Sequence, residues 1–124
     1  MPPIEVIIFM ESDGSAPFWT WLKDLPPKVQ IKCKVRIDRL RQLGHELRRP
    51  DADYLRDGIY ELRVRWGNVH YRILYFFYGK SAVVSHGLTK EDVVPNAEIN
   101  RALNWKLKFE KDPQAHSCGE PDHG

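Results

Sequence analysis

The feature of the sequence that most constrains its fold is the stretch YELRVRWGNVHYRILYFF, at residues 60–77. Apolar and polar side chains alternate along this stretch, which is typical of β-strands. Gly67-Asn68 interrupts the alternation, so the stretch predicts two antiparallel strands joined by a short turn. Side chains two residues apart in a strand share a face of the sheet. In the first strand, Tyr60, Leu62 and Val64 are therefore expected to face the core.

Three arginines lie on this hairpin: Arg63, Arg65 and Arg72. A short turn places Arg72 across from the other two, so several guanidinium groups would gather on one patch of the sheet surface. Clustered arginines repel one another unless an anion lies among them, and a guanidinium group can bind a phosphate or carboxylate in a bidentate manner. Two interpretations stay open: Glu61 neutralises one arginine as ordinary surface structure, or the patch binds a phosphate.

The rest of the chain predicts an α+β fold. Residues 4–10 are largely apolar and rich in β-branched side chains, which indicates a buried strand, and residues 81–88 predict one more strand after the two of the hairpin. Helical periodicity marks residues 16–25, residues 28–43 and a final helix from about residue 96 to about residue 109. This order predicts an antiparallel sheet of about four strands, with two N-terminal helices and a C-terminal helix packed on one face.

The longer N-terminal helix, residues 28–43, has an apolar stripe and a basic face. Three interpretations of the basic face stay open: a solvated surface, direct contact with phosphates, or a surface for docking a partner. Pro27 is expected at the first turn of this helix, and Gly44 is expected to cap its end. Cys33 lies in the apolar stripe and is expected to be a buried hydrophobic residue.

The 124 residues, of which 42% are hydrophobic, predict one domain over residues 1–110 and a disordered polar tail over residues 111–124. No stretch approaches the roughly 18 apolar residues of a membrane span. The N-terminus lacks the pattern of a signal peptide, so we expect a cytoplasmic protein with no membrane partner. A metal site from His116, Cys118 and His123 would need a fourth ligand, and none is expected.

Two segments together resemble a known family: DGIYELRVRWGNVHYRILYFF and VVSHGLTKEDVVPNAEINRAL. They are similar to the HigB-like, phage-derived branch of the RelE/ParE toxin superfamily, and the resemblance covers roughly residues 4–108, including the FWTWLKDLP helix. It implies a RelE-like, microbial-ribonuclease-like fold and cleavage of messenger RNA at the ribosome, without a metal or small-molecule cofactor. In that reaction the RNA 2′-hydroxyl attacks the adjacent phosphate, which requires cations, a base and an acid.

The resemblance also implies roles for individual residues. Arg72 matches the arginine most often tied to phosphate stabilisation, and Arg63 matches a basic residue on the second strand of the sheet. Lys90 lies near the basic residue that follows the last strand. His86 matches a histidine common in this branch, and it is the best candidate base because imidazole exchanges protons near neutral pH.

Further residues are assigned to binding. Those expected to contact RNA are Arg65, Arg48 and Arg49. Those expected to contact an antitoxin are Lys32, Arg36 and Arg39. Arg65, near the turn, is also expected to pair with Glu61, and His70 is expected to be merely exposed.

The sequence departs from some relatives, because it lacks a C-terminal tyrosine and has Glu91-Asp92 directly after Lys90.

The leading hypothesis is the toxin of a type II toxin–antitoxin pair, an endoribonuclease whose partners are translated mRNA and a small helix-turn-helix antitoxin. One alternative is a ParE-like toxin that binds a topoisomerase and cleaves no RNA. The other is an inactive phage-derived remnant that only binds an antitoxin.

Overall fold

The computed structural model describes residues 3–89 and 93–118, and within them six strands form one mixed sheet and three helices pack against it. In chain order the elements are β1 (Val6–Phe9), α1 (Pro17–Leu22), α2 (Pro27–Leu43), β2 (Ala52–Arg56), β3 (Ile59–Trp66), β4 (Val69–Tyr78), β5 (Ser81–Thr89), α3 (Asn96–Lys111) and β6 (Ser117–Cys118). Short 3-10 turns lie at Gly44–Glu46 and Gln114–His116. The α+β class, both N-terminal helices and the C-terminal helix are confirmed.

The sheet has the order β2-β3-β4-β5-β1-β6. The strands from β2 to β5 are antiparallel to their neighbours, but β1 is parallel to β5, with Ile7 opposite Val83. The expectation of about four strands, all antiparallel, is therefore wrong. Alternation along one strand predicts that it joins a sheet, whereas the direction of β1 depends on where the chain returns after α1 and α2.

The two additional strands are short and lie at the edges of the sheet. β2 forms within the segment that connects α2 to β3, where Ala52 pairs with Leu62. β6 lies in the predicted disordered tail and pairs with β1 through Ile8 and Cys118. His116 holds this part of the tail in place, because its ring stacks on Phe9 and is buried. Residues 111–118 therefore have regular structure where a disordered tail was predicted, and residues 119–124 lie outside the described residues.

Helices cover both faces of the sheet, so the expectation that they pack on one face is also wrong. α1 and α2 pack on one face, which we call the α2 face, against residues that include Leu62, Ile73 and Val84. α3 packs on the opposite face, the α3 face, against residues that include Leu74, Phe76 and Val83. The reason is that both sides of β4 and β5 carry large apolar side chains, and each side must be removed from water.

The helices otherwise follow the sequence pattern. α2 has Pro27 in its first turn and ends at Gly44, whose positive φ of 55° suits a glycine and whose N–H donates to the Leu40 carbonyl. Cys33 is fully buried, as expected. Within the described part of the chain, no helix combines the length and the apolar character needed to span a membrane.

Candidate RNA-binding site

α3 covers only part of its face of the sheet, and charged side chains occupy the rest. A pocket of about 440 Å³ lies beside them, near the point where β2 begins. We call it the arginine pocket. Its charged and titratable lining residues are Arg36, Asp51, Arg63, Arg65, His70 and Arg72.

Strand register brings four of these side chains together. Arg63 lies directly opposite Arg72, and Arg65 lies directly opposite His70. Directly opposed residues have Cβ atoms about 4.5–5.5 Å apart, so the four side chains form a compact group on the hairpin surface. The expected gathering of Arg63, Arg65 and Arg72 on one patch is therefore confirmed.

A buried carboxylate orients two of the arginines. Glu61 is 2% exposed. Its Oε2 accepts a hydrogen bond from Arg63 Nε at 2.8 Å, and its Oε1 accepts one from Arg72 Nη1 at 2.7 Å. The expected pairing of Glu61 with Arg65 is wrong, since Arg65 Nε donates instead to the Gly67 carbonyl at 3.1 Å. Glu61 and Arg63 are two residues apart on one strand and Arg72 lies opposite Arg63, so these three meet, and Arg65 lies further along towards the turn.

The two arginines held by Glu61 keep different sets of free donors. Arg72 is largely buried, and its Nε has no hydrogen-bond partner among the described residues. Arg63 also donates from Nη2 to Asp53 at 3.2 Å, so two carboxylates fix it. A buried donor without a partner is unfavourable, and an incoming phosphate oxygen would satisfy it.

The opposite wall of the arginine pocket comes from α2 and the segment before β2. Arg36 Nη1 lies 2.5 Å from Asp51, and Arg39 Nε lies 3.2 Å from the same carboxylate. Arg36 Nε is buried and has no partner among the described residues. Two of the three residues expected to bind an antitoxin therefore contact a carboxylate of this chain. The third, Lys32, has its ammonium group 5.9 Å from the centre of the Trp66 ring.

His70 is a lining residue whose place the sequence analysis missed. It is half-buried rather than simply exposed, and no described residue forms a hydrogen bond with its imidazole. Strand parity was the available signal. His70 is two residues before Arg72, so both side chains lie on the same face of β4.

His86 does not line the arginine pocket. It is buried beneath α3 and lines a second pocket of about 400 Å³. Its Nε2 lies 2.9 Å from Glu98, its Nδ1 lies 2.8 Å from Ser85 Oγ, and its ring meets Trp105 edge to face. Burial lowers the pKa of His86 from its ordinary value, and the hydrogen bond to Glu98 opposes that shift in part.

Two further arginines assigned to RNA, Arg48 and Arg49, come directly before Pro50, which lines the arginine pocket. Arg48 donates to the backbone carbonyls of His45 and Leu47, and Arg49 donates to Asp53 at 3.0 Å. The hydrogen bond from Arg49 is the largest cause that lowers the pKa of Asp53. Lys90 lies outside the described residues. The structure thus groups Arg63 with Arg72 and leaves His86 apart from them.

The described residues contain no group of three or more His, Cys, Asp or Glu side chains arranged to hold a metal ion. A family model described as "Phage derived protein Gp49-like (DUF891)" matches residues 20–106. No curated protein matches the chain. The family match covers the last three residues of α1, all of α2, the hairpin and most of α3, and it includes every lining residue of the arginine pocket.

Proposed function

Because the chain belongs to the Gp49-like phage-derived family, which is RelE- and toxin-like, we propose that it is the toxin of a type II toxin–antitoxin pair. In this proposal it belongs to the HigB-like branch and is a metal-independent endoribonuclease that cleaves translated mRNA at the ribosome. Family membership supports the toxin class. The arginine pocket supports the choice of RNA as the target.

The observation that carries the proposal is the placement of Arg63 and Arg72 by Glu61. Attack of a 2′-hydroxyl on the adjacent phosphate builds negative charge on the phosphate oxygens. Donors that are already oriented stabilise that charge without reorganising during the reaction. Glu61 fixes one edge of each guanidinium group and leaves other N–H groups without a described partner, among them Arg72 Nε.

The flanking cations extend this site along an RNA strand. Arg65 is exposed, and only its Nε is bonded within the described chain, so its terminal nitrogens can contact a neighbouring phosphate. Arg48 and Arg49 are also exposed and lie just before β2, next in sequence to Pro50 and Asp51, which line the pocket. We keep all three as proposed RNA contacts, and Lys90 as a further proposed contact.

The antitoxin is proposed to bind the exposed face of α2 at Lys32, Arg36 and Arg39. Arg36 lines the arginine pocket as well, so a partner on α2 would reach the rim of the site. Acidic side chains of the partner would compete with Asp51 for Arg36 and Arg39. The partner proposed is a small helix-turn-helix protein, and its binding would block RNA from the pocket.

A second candidate is an inactive remnant that only binds the antitoxin. The observation that favours it is again Glu61, because one buried carboxylate cancels part of the charge of both arginines expected to stabilise the phosphate. A lysine in place of Glu61 would make the pocket more positive. The two candidates predict opposite outcomes when the protein is expressed alone.

The test is inducible expression in a bacterial host, with mRNA 5′ ends mapped before and after translation is blocked. The proposed function predicts growth arrest and new mRNA ends that disappear when ribosomes no longer translate. Growth arrest with DNA damage and intact mRNA would instead indicate a ParE-like toxin that binds a topoisomerase. Normal growth at high expression would indicate the inactive remnant.

A further inference from the structure

His70 was expected to be an exposed residue near a turn, but in the structure it lines the arginine pocket. It faces the arginine pocket from the β4 side, opposite Arg65 and two residues from Arg72. It is half-buried, and its two ring nitrogens carry no hydrogen bond to any described residue. An imidazole whose nitrogens bind no described residue, and which lies beside four guanidinium groups, is available for proton transfer.

We propose that His70 is the general base of the arginine pocket and that it removes the proton from the RNA 2′-hydroxyl. This inference rests on the proposed endoribonuclease function and adds the group that the sequence left unassigned. It moves the role of base from His86 to a histidine on the same strand as Arg72.

The proposed reaction is balanced as follows. The neutral imidazole of His70 takes the proton of the 2′-hydroxyl, and the 2′-oxygen forms a new bond to the adjacent phosphorus. The bond from that phosphorus to the 5′-oxygen of the next nucleotide breaks, which gives a 2′,3′-cyclic phosphate. The departing 5′-oxygen takes a proton from solvent, and the imidazolium then returns its own proton to solvent.

Among the described residues, the other carboxylates beside the pocket and the second candidate histidine are already engaged. Both oxygens of Asp51 are held by arginines of α2, and both oxygens of Glu61 are held by Arg63 and Arg72. His86 is bonded through both ring nitrogens inside the second pocket.

The charged groups that surround His70 in the arginine pocket come from four parts of the described chain. They are Arg36 on α2, Asp51 before β2, Arg63 and Arg65 on β3, and Arg72 on its own strand. Four of these five groups are cations that attract an RNA phosphate. The adjacent 2′-hydroxyl would then lie beside the imidazole.

The test is single-turnover cleavage of mRNA on programmed ribosomes by the purified full-length protein, at several values between about pH 5 and pH 8. His70→Gln is expected to lower the cleavage rate by about 10²–10⁴-fold. The wild-type rate should fall towards acid pH, because a protonated imidazole cannot accept the proton, and His70→Gln should lack this fall. His70→Ala should regain part of its activity when free imidazole is added.

Two controls separate proton transfer from binding and folding. His45→Gln changes an exposed histidine that lines a different pocket, and it should cleave at the wild-type rate. His70→Gln should bind ribosomes programmed with an uncleavable 2′-deoxy mRNA as tightly as the wild type does.

The outcomes distinguish this inference from the function on which it rests. If the wild type cleaves and His70→Gln cleaves at the same rate with the same pH profile, His70 is not the base and the proposed function stands. If His70→Gln loses binding in proportion to cleavage, its role is in binding and the inference is overturned. If the wild type cleaves no RNA, the proposed function and this inference both fail.

Discussion

Glu61 Oε1 accepts a hydrogen bond from Arg72 Nη1 at 2.7 Å, and Glu61 is 2% exposed. This contact links the fold to the candidate site. The carboxylate lies beside the part of the sheet that α3 covers, and the guanidinium group lines the arginine pocket. A charge buried this deeply is stable only when partners satisfy it, and Arg63 and Arg72 supply those partners.

Glu61→Ala should lower the free energy of unfolding by about 3 kcal/mol, because it leaves a largely buried arginine without its anion. The measurement is urea unfolding at neutral pH. The control is Glu46→Ala, an exposed residue whose replacement should change that free energy by less than about 0.5 kcal/mol. Equal effects of the two replacements would show that Glu61 does not hold the arginines.

The sequence predicted the hairpin well because its alternation records which face each side chain takes. The short turn at Gly67-Asn68 predicted that Arg72 lies across from Arg63 and Arg65, and the structure pairs it with Arg63. The pairing of Glu61 was mispredicted. The position of a carboxylate in a strand does not determine which of three nearby arginines it binds. In the structure, Glu61 binds Arg63 on its own strand and Arg72, which lies opposite Arg63.

The parts of the fold that could not be predicted depend on long-range contacts. β6 has only two residues, and it forms because His116 stacks on Phe9 and its Nδ1 meets the Met10 carbonyl at 2.7 Å. Such contacts join residues more than 100 positions apart and leave no local pattern. Likewise, Leu74, Phe76 and Arg72 share one face of β4. Only the tertiary fold shows that α3 covers Leu74 and Phe76, whereas Arg72 lines the arginine pocket.

The buried His86 should make stability depend on pH. Burial lowers the pKa of His86 below its ordinary value of 6.5, so between the two values the unfolded chain binds more protons than the folded chain. The stability that the neutral His86 provides is therefore present above about pH 6.5 and is lost progressively as the pH falls below it. His86→Gln should reduce the loss of unfolding free energy between about pH 7 and about pH 5.

This pH effect is measured by urea unfolding at both pH values. His45→Gln removes an exposed histidine and should keep the wild-type pH dependence. If His86→Gln also keeps it, protonation of His86 does not limit stability in this range. Glu98 and Arg101, which face the imidazole from α3, are unchanged in both variants.

The exposed surface of helix α2 that is assigned to the antitoxin can be tested by reversing one charge. Lys32→Glu should weaken binding of the antitoxin by about tenfold or more, because a like charge then faces the acidic side chains proposed for the partner. Lys111→Glu makes the same change at the exposed end of α3 and should leave the affinity unaltered. Calorimetry with the purified pair measures both, and equal affinities for the two variants would remove α2 from the interface.

The most direct test of the central claim is the rate of translation-dependent mRNA cleavage by folded Arg72→Ala protein. The claim is that Arg72 stabilises the phosphate during cleavage, and removing such a donor should lower the rate by about 10²–10³-fold. Arg72→Lys should retain an intermediate rate, since it keeps the charge beside Glu61 but loses the planar set of donors.

The matched control is Arg56→Ala, because Arg56 contacts Asn96 and Asn100 of α3 and does not line the arginine pocket. Thermal unfolding of each variant gives the folded fraction by which its rate is corrected. A wild-type rate for folded Arg72→Ala would contradict the account, and a rate reduced as predicted, with Arg56→Ala unaffected, would support it.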